Sequence, residues 1–216
     1  MRVLCVAAHP DDETLGCGGT LHRCVEQGHD VRVVTFTNGG DARKAGCDRR
    51  GQLHAAAFVI GFKVLETFNF RDNAMDDTYL LSFVKSLESI IALSCFVPDV
   101  VLTHSHDCLN VDHRRVFETV EVVFRSSPCK IMTFPIPSSS ELRMSRGEGL
   151  RPNAYVVLSE QQVKMKLRAL EECYGSEMRP DPHSRSLENI ERLMRTWGAQ
   201  VGVKYAEQFT IVKEVI

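Results

Sequence analysis

No Cys-x-x-Cys pair occurs among the 8 cysteines, so a zinc ribbon and a thioredoxin-like redox site are excluded. No apolar run approaches the length of a bilayer span. Positive charge is not in surplus either: 26 Lys+Arg stand against 28 Asp+Glu, a net charge of -2. That balance offers nothing to hold a nucleic-acid backbone or an anionic membrane. Internal repeats and low-complexity segments are missing. The opening residues, Met1 to Pro10, meet charge within three residues of their only apolar stretch, which reads as a first strand rather than a signal peptide.

What remains is the composition of an ordinary globular protein, 216 residues with 44% hydrophobic and 25% charged side chains. Two domains would leave two small cores, so residues 1–216 are expected to form one. Several cysteines lie inside apolar segments, where a reduced Cys packs as a small hydrophobe. A reducing, cytoplasmic compartment is therefore expected; the even cysteine count leaves an extracytoplasmic disulfide protein as the alternative.

Short apolar runs alternate with amphipathic ones. Strands are expected at 2–8, 31–37, 63–68, 99–103, 130–134, 154–158 and 209–212, and helices at 14–27, 49–60, 78–95, 111–125, 161–173 and 187–194. This alternation predicts an α/β fold with a largely parallel sheet flanked by helices. The segment 135–152, rich in Pro, Ser, Gly and mixed charge, reads as a long loop that closes over a substrate.

In an open parallel sheet, ligands bind where strands deliver their carboxyl ends. The first strand is followed by His9-Pro10-Asp11-Asp12-Glu13. Capping the next helix requires only one of these carboxylates. A His and an Asp three apart on such a turn can converge on one metal ion, and both are good zinc ligands. After the strand at 99–103 come His104, His106, Asp107, Asn110, Asp112 and His113. A catalytic zinc takes three protein ligands and keeps one position open. His9 and Asp12 supply two of them, and His113 is the best placed for the third. Asp112 is placed to orient imidazoles by hydrogen bonds, and His104 reads as a buried histidine bonded to backbone. Gly16, Gly18 and Gly19 do not spell a nucleotide-binding loop and are read as close-packing residues.

The motif Ala-His-Pro-Asp-Asp-Glu-Thr-Leu-Gly-Cys-Gly-Gly-Thr-Leu from Ala8, with Asp107-Cys108-Leu109-Asn110-Val111-Asp112-His113-Arg114 at a later strand end, resembles the PIG-L/LmbE-type metal-dependent N-deacetylases. Asn38-Gly39-Gly40, Arg49 to Leu53, Phe70 to Asn73, Ile136 to Ser139 and Tyr205 to Phe209 fall in the same order as in that family. The resemblance implies a Rossmann-like fold and hydrolysis of N-acyl groups, mostly acetyl on glucosamine-type sugars. It implies His9, Asp12 and His113 as metal ligands, Asp11 as catalytic base, and Arg49 and Asp72 in the sugar pocket. Zinc is the expected ion, with Fe(II) accepted by the same ligands. Chemistry fits the role of Asp11, which cannot bend onto the metal face used by Asp12 and is free to move protons.

The sequence departs from the family in one tetrad. The usual His-Pro-Asp-His is replaced by Asn110-Val111-Asp112-His113. Three residues compete to stabilise the oxyanion: Asn110, His106 and His183, with His183 expected as the cationic donor and Asn110 assisting. The reading is a metal-dependent hydrolase removing N-acetyl from a small-molecule amino sugar, with no nucleic-acid partner, no membrane span and the oligomeric state open. An amidase acting on another N-acyl conjugate, or a nucleotide- or sugar-binding module without hydrolysis, is the alternative, because fold does not fix function.

Overall fold

β1 (Arg2–Ala7) is an inner strand of the sheet, and its side chains face two cores. Val3 and Cys5 point into one hydrophobic core and Leu4, Val6 and Ala8 into another, the two-residue period of a strand buried on both faces. The computed structural model describes residues 1–39, 48–140 and 152–215. Much of the 135–152 loop therefore lies outside the described residues, as do Gly40 and Cys47.

The remaining elements are α1 (Asp12–Glu26), β2 (Asp30–Thr35), α2 (Arg49–Ile60), β3 (Lys63–Thr67), α3 (Leu80–Ser94), β4 (Val100–His104), α4 (Val111–Phe124), β5 (Lys130–Phe134), β6 (Ala154–Val157), α5 (Glu160–Glu172), α6 (Leu187–Gln200) and β7 (Ala206–Lys213). The seven-stranded sheet has the order β3-β2-β1-β4-β5-β7-β6. β1 to β5 are parallel, and β7 runs antiparallel to both β5 and β6. Leu15, Leu21, Leu53, Leu170 and Trp197 pack on one face of the sheet, and Phe83, Leu87, Val116 and Val120 on the other. The expected α/β architecture is thus the observed one.

Some boundaries move. α6 continues to Gln200, beyond the expected end at Met194, because its apolar side carries on through Trp197. β7 begins at Ala206, three residues before the expected start, because Ala206–Gln208 pair with β6. The described cysteines are free; Cys5, Cys17, Cys129 and Cys173 pack in the hydrophobic cores, and Cys108 is buried outside them. No helix among the described residues is long and apolar enough to cross a membrane.

The topology positions the site. From β1 the chain builds outward through β2 to β3, then returns to the other side of β1 to lay down β4 and β5. The strand order reverses between β1 and β4, paired from Val3↔Val100 to Val6↔Thr103. Their carboxyl ends diverge there and leave a crevice. The segment after β1 and the segment after β4, the two richest in ionisable residues, open into it side by side.

Candidate active site

Asp11 is the hinge of the β1–α1 turn. It caps α1 in the left-handed region at φ 117° and ψ −29°, a conformation that costs a non-glycine residue about 1–3 kcal/mol. The surroundings hold it there. Its carbonyl accepts from Thr14 N at 3.1 Å and Leu15 N at 2.8 Å, and its N–H donates to Glu13 Oε2 at 3.0 Å. Glu13 is in turn held through Oε1 by Tyr174 Oη at 2.8 Å and Thr14 Oγ1 at 2.6 Å. Burial pushes the Glu13 carboxyl up to about 7. Gly16 lets α1 press against β5: a Cβ there would lie 2.2 Å from Phe134 Cδ2.

The turn sends its two aspartates apart. Asp12, fully buried, faces imidazoles. Its Oδ2 accepts from His9 N at 2.9 Å and lies 3.0 Å from His9 Nδ1 and 3.3 Å from His113 Nε2. Its Oδ1 is buried with no hydrogen-bond partner. One ligand atom from each of His9, Asp12 and His113 lies within 4.8 Å of the others. An orphaned carboxylate oxygen beside two imidazole nitrogens suits a divalent cation, which would satisfy it. The charges agree. The carboxylates around His9 hold its pKa well above the usual imidazole range although burial opposes this, and Asp12 raises His113 to about 9 against the same opposition. A place that favours protons on two rings favours a metal cation in their stead.

His9 turns its other nitrogen away from Asp12. Nε2 lies 2.9 Å from Asp112 Oδ2 and 3.0 Å from Asp72 Oδ1. Asp112 is fixed by Asn73 N at 2.6 Å and Met75 N at 3.1 Å, so it anchors the imidazole from behind. Asp72, expected in the sugar pocket, stands in the same cluster. His104 behaves as its sequence context suggested: Nε2 accepts the Ala8 backbone N–H at 2.9 Å, which commits its lone pair. Burial, with His113 beside it, pushes its pKa down to about 4. The neutral ring stacks on His113 at 3.9 Å and 14°.

Asp11 points the other way, between two guanidinium groups. Arg49, the first residue of α2, donates from Nη2 to Asp11 Oδ2 at 3.1 Å and to Pro10 O at 2.7 Å, and its Nη1 lies 3.0 Å from Glu177 Oε1. Gly39, at φ 68°, makes room for it: a Cβ there would lie 2.7 Å from Arg49 Cγ. Arg185 reaches Asp11 Oδ2 from the other side with Nη1 at 3.2 Å while its Nε donates to Ser138 Oγ at 2.9 Å. Burial raises the Asp11 pKa above the usual carboxylate range, against the pull of Arg185 and Arg49.

Two expected residues, His106 and His183, are not brought to this cluster. His106 is exposed, beside Asp107 at 3.3 Å and against the Phe117 ring. His183 is exposed as well, its Nδ1 accepting the Arg185 N–H at 3.0 Å. Asn110 spends its side-chain oxygen on capping α4, accepting from Asp112 N at 2.8 Å. Residues the sequence reading passed over are Arg185, two positions beyond His183, and Cys108, whose Sγ lies 3.1 Å from His113 Nδ1. Cys108 lies inside a motif already singled out and Arg185 lies near His183, but no spacing rule gives the direction of either side chain.

Comparison with known proteins follows the same lines. The model of the family described as PIG-L, GlcNAc-PI de-N-acetylase, matches residues 4–124, more than half of the chain and the stretch that carries His9, Asp11, Asp12 and His113. The uncharacterized deacetylase YaiS of Escherichia coli (strain K12) is 28% identical over 171 residues, 78% of this chain and 88% of that one. A 1D-myo-inositol 2-acetamido-2-deoxy-alpha-D-glucopyranoside deacetylase of Mycobacterium sp. (strain KMS) is 33% identical over 134 residues, 49% of this chain and 44% of that one, so the chain spans less than half of that relative. Among solved structures, N,N'-diacetylchitobiose deacetylase from Pyrococcus horikoshii has the same fold at a TM-score of 0.75, 23% identity, 98% of this chain and 83% of that one. With its family model spanning both ionisable segments, the chain belongs to the PIG-L family.

Proposed function

We propose that the chain is a metal-dependent deacetylase that hydrolyses the N-acetyl group of a GlcNAc-type amino sugar, free or carrier-linked, with zinc as the resident ion and Fe(II) accepted in its place. The observation that carries this reading is the division of labour between neighbouring aspartates: Asp12 Oδ1 orphaned beside His9 and His113, Asp11 turned away toward Arg49 and Arg185. The N-acetyl sugars in the names of the deacetylase from Mycobacterium sp. (strain KMS) and of the chitobiose deacetylase support the substrate class. We place the work in the cytoplasm, reading the thiols as reduced.

His9, Asp12 and His113 would hold the ion, which supplies Lewis acidity that polarises an amide carbonyl and makes a water a usable nucleophile near neutral pH. Asp11 moves the protons. Both guanidinium contacts go to its Oδ2, which leaves Oδ1 to take the proton of the attacking water and return it to the leaving amine. That return is required, because an unprotonated amine is a very poor leaving group. Arg49 and Arg185 fix Asp11 between them; Arg185, rather than His183, is the cation this segment brings to the reacting groups. Asp72 and Arg49 contact the sugar in this reading, Asp72 by accepting a hydrogen bond from a hydroxyl.

Acetate release decides the reading. Zinc-loaded protein is incubated with N-acetylglucosaminyl-inositol, N,N'-diacetylchitobiose, N-acetylglucosamine and a nucleotide-linked N-acetylglucosamine. Turnover of at least one is expected. Binding of these sugars without acetate release from any of them would replace the hydrolase by a sugar-binding module.

A further inference from the structure

The two histidines proposed as metal ligands are held from behind by different chemistry. A neutral imidazole has one lone pair and one N–H, so a ring that gives Nε2 to a metal carries its hydrogen on Nδ1, and that hydrogen requires an acceptor. The acceptor is nearly always a carboxylate, a backbone carbonyl or water. His9 follows the rule, with Asp112 and Asp72 on its outer nitrogen. His113 does not: the atom facing its Nδ1 is Cys108 Sγ, at 3.1 Å.

The sulfur is built into place. Cys108 is 1% exposed. Ser140 Oγ donates to Sγ at 3.6 Å while accepting the Ile136 N–H at 2.9 Å, and the Asn110 backbone N–H also reaches the sulfur. Arg114, in the first turn of α4, donates from Nη1 to the carbonyls of Cys108 and Leu109, both at 2.7 Å. Backbone and side chain of Cys108 are both fixed. Among the described residues the sulfur is approached by donors, so the arrangement suits an acceptor. On its opposite face the His113 ring stacks on His104, which cannot take over this hydrogen bond because its own Nε2 is bonded to Ala8.

We propose that Cys108 is a positioning residue: its sulfur accepts the Nδ1 hydrogen of His113, fixing the tautomer and the ring so that the Nε2 lone pair faces the cation position beside Asp12. The proposal rests on His113 being a metal ligand. It adds that one ligand is tuned by a polarizable sulfur and the other by carboxylates.

Two readouts test it, neither of them turnover. The first is the ring ¹⁵N spectrum of the metal-free protein at a pH well above 9, where the His113 ring is neutral and its single hydrogen sits on one nitrogen or the other. Wild type is expected to show His113 with its hydrogen on Nδ1. Cys108→Ala is expected to show a mixture of tautomers, and Cys108→Ser, which keeps an acceptor, to restore the Nδ1 form. The second is zinc affinity measured by chelator competition. Cys108→Ala should bind roughly 10–100-fold more weakly, the usual effect of removing such a partner, and Cys108→Ser should recover most of the loss. Cys129→Ala, an equal truncation at a buried cysteine outside the site, controls for packing and should bind zinc as wild type does. Wild-type tautomer and affinity in Cys108→Ala would overturn the proposal, as would an Nδ1 without hydrogen in the wild-type protein. If wild type bound no divalent cation the functional reading would fail, while the ¹⁵N spectrum would still decide whether Cys108 fixes the ring.

Discussion

Glu13→Gln tests how the turn that carries Asp11 is supported. Glu13 is fully buried, and burial lifts its pKa from 4.5 to about 7. A raised acid binds its proton more tightly in the folded than in the unfolded chain. Below pH 4.5 both states are protonated and nothing is lost; above about pH 7 both are ionised and the burial cost is complete. Between those limits the folded state holds more protons, so stability falls as pH rises. A shift of this size, at about 1.4 kcal/mol per unit, corresponds to about 3 kcal/mol. Glutamine cannot ionise, and its carbonyl still accepts the Asp11 N–H while its amide donates to Tyr174 and Thr14. Urea unfolding of metal-free wild type and variant across this range should therefore show the variant gaining about 3 kcal/mol relative to wild type as pH rises. A difference between the two proteins that does not change with pH would refute the reasoning.

Asp11→Asn should retain metal and fold, since asparagine tolerates a positive φ, while kcat falls roughly 10²–10⁴-fold and the acidic limb of the pH profile disappears; turnover near wild type would remove Asp11 from proton transfer. Lys166→Met breaks a buried pair in which Lys166 Nζ lies 2.7 Å from Glu207 Oε1, so urea unfolding should report a loss of about 3–5 kcal/mol, toward the lower end because Gly19 and Thr20 still donate to the carboxylate. Zinc binding should release protons, because His113, with a pKa of about 9, is protonated at neutral pH before the metal arrives. Titration calorimetry in buffers of different ionisation enthalpy should count at least one proton, and zinc affinity should weaken with acidity; affinity independent of pH would show that His113 is not displaced from its proton.

The fold was legible because its signals are local. Val31 to Thr35 are β-branched but for Arg32 and could only be a strand, and the apolar spacing of Phe83, Val84 and Leu87 could only be a helix face. The convergence of His9, Asp12 and His113 was legible for a related reason: parallel strands deliver their ends to one edge, so ionisable residues after β1 and β4 meet. The cation beside Asp11 was not. His183 and Arg185 are two residues apart, and which of them points inward depends on how the segment after α5 folds back onto Ser138. Asn110 looked like an oxyanion donor because it precedes His113 by three residues. As the residue before α4 it also meets the need of an unpaired helix N–H with its oxygen, a role that leaves its amide N–H groups as donors. Cys108 looked like one more buried thiol; Arg114 and Ser140, which aim it, come from different parts of the chain.

The most direct test of the central claim is acetate release from an N-acetylglucosamine-type substrate before chelation, after it, and after zinc is restored. Activity that is abolished by chelation and recovered with one equivalent of zinc in wild type, and not recovered in His113→Ala, is the predicted result. Undiminished acetate release from the metal-free protein would contradict the account.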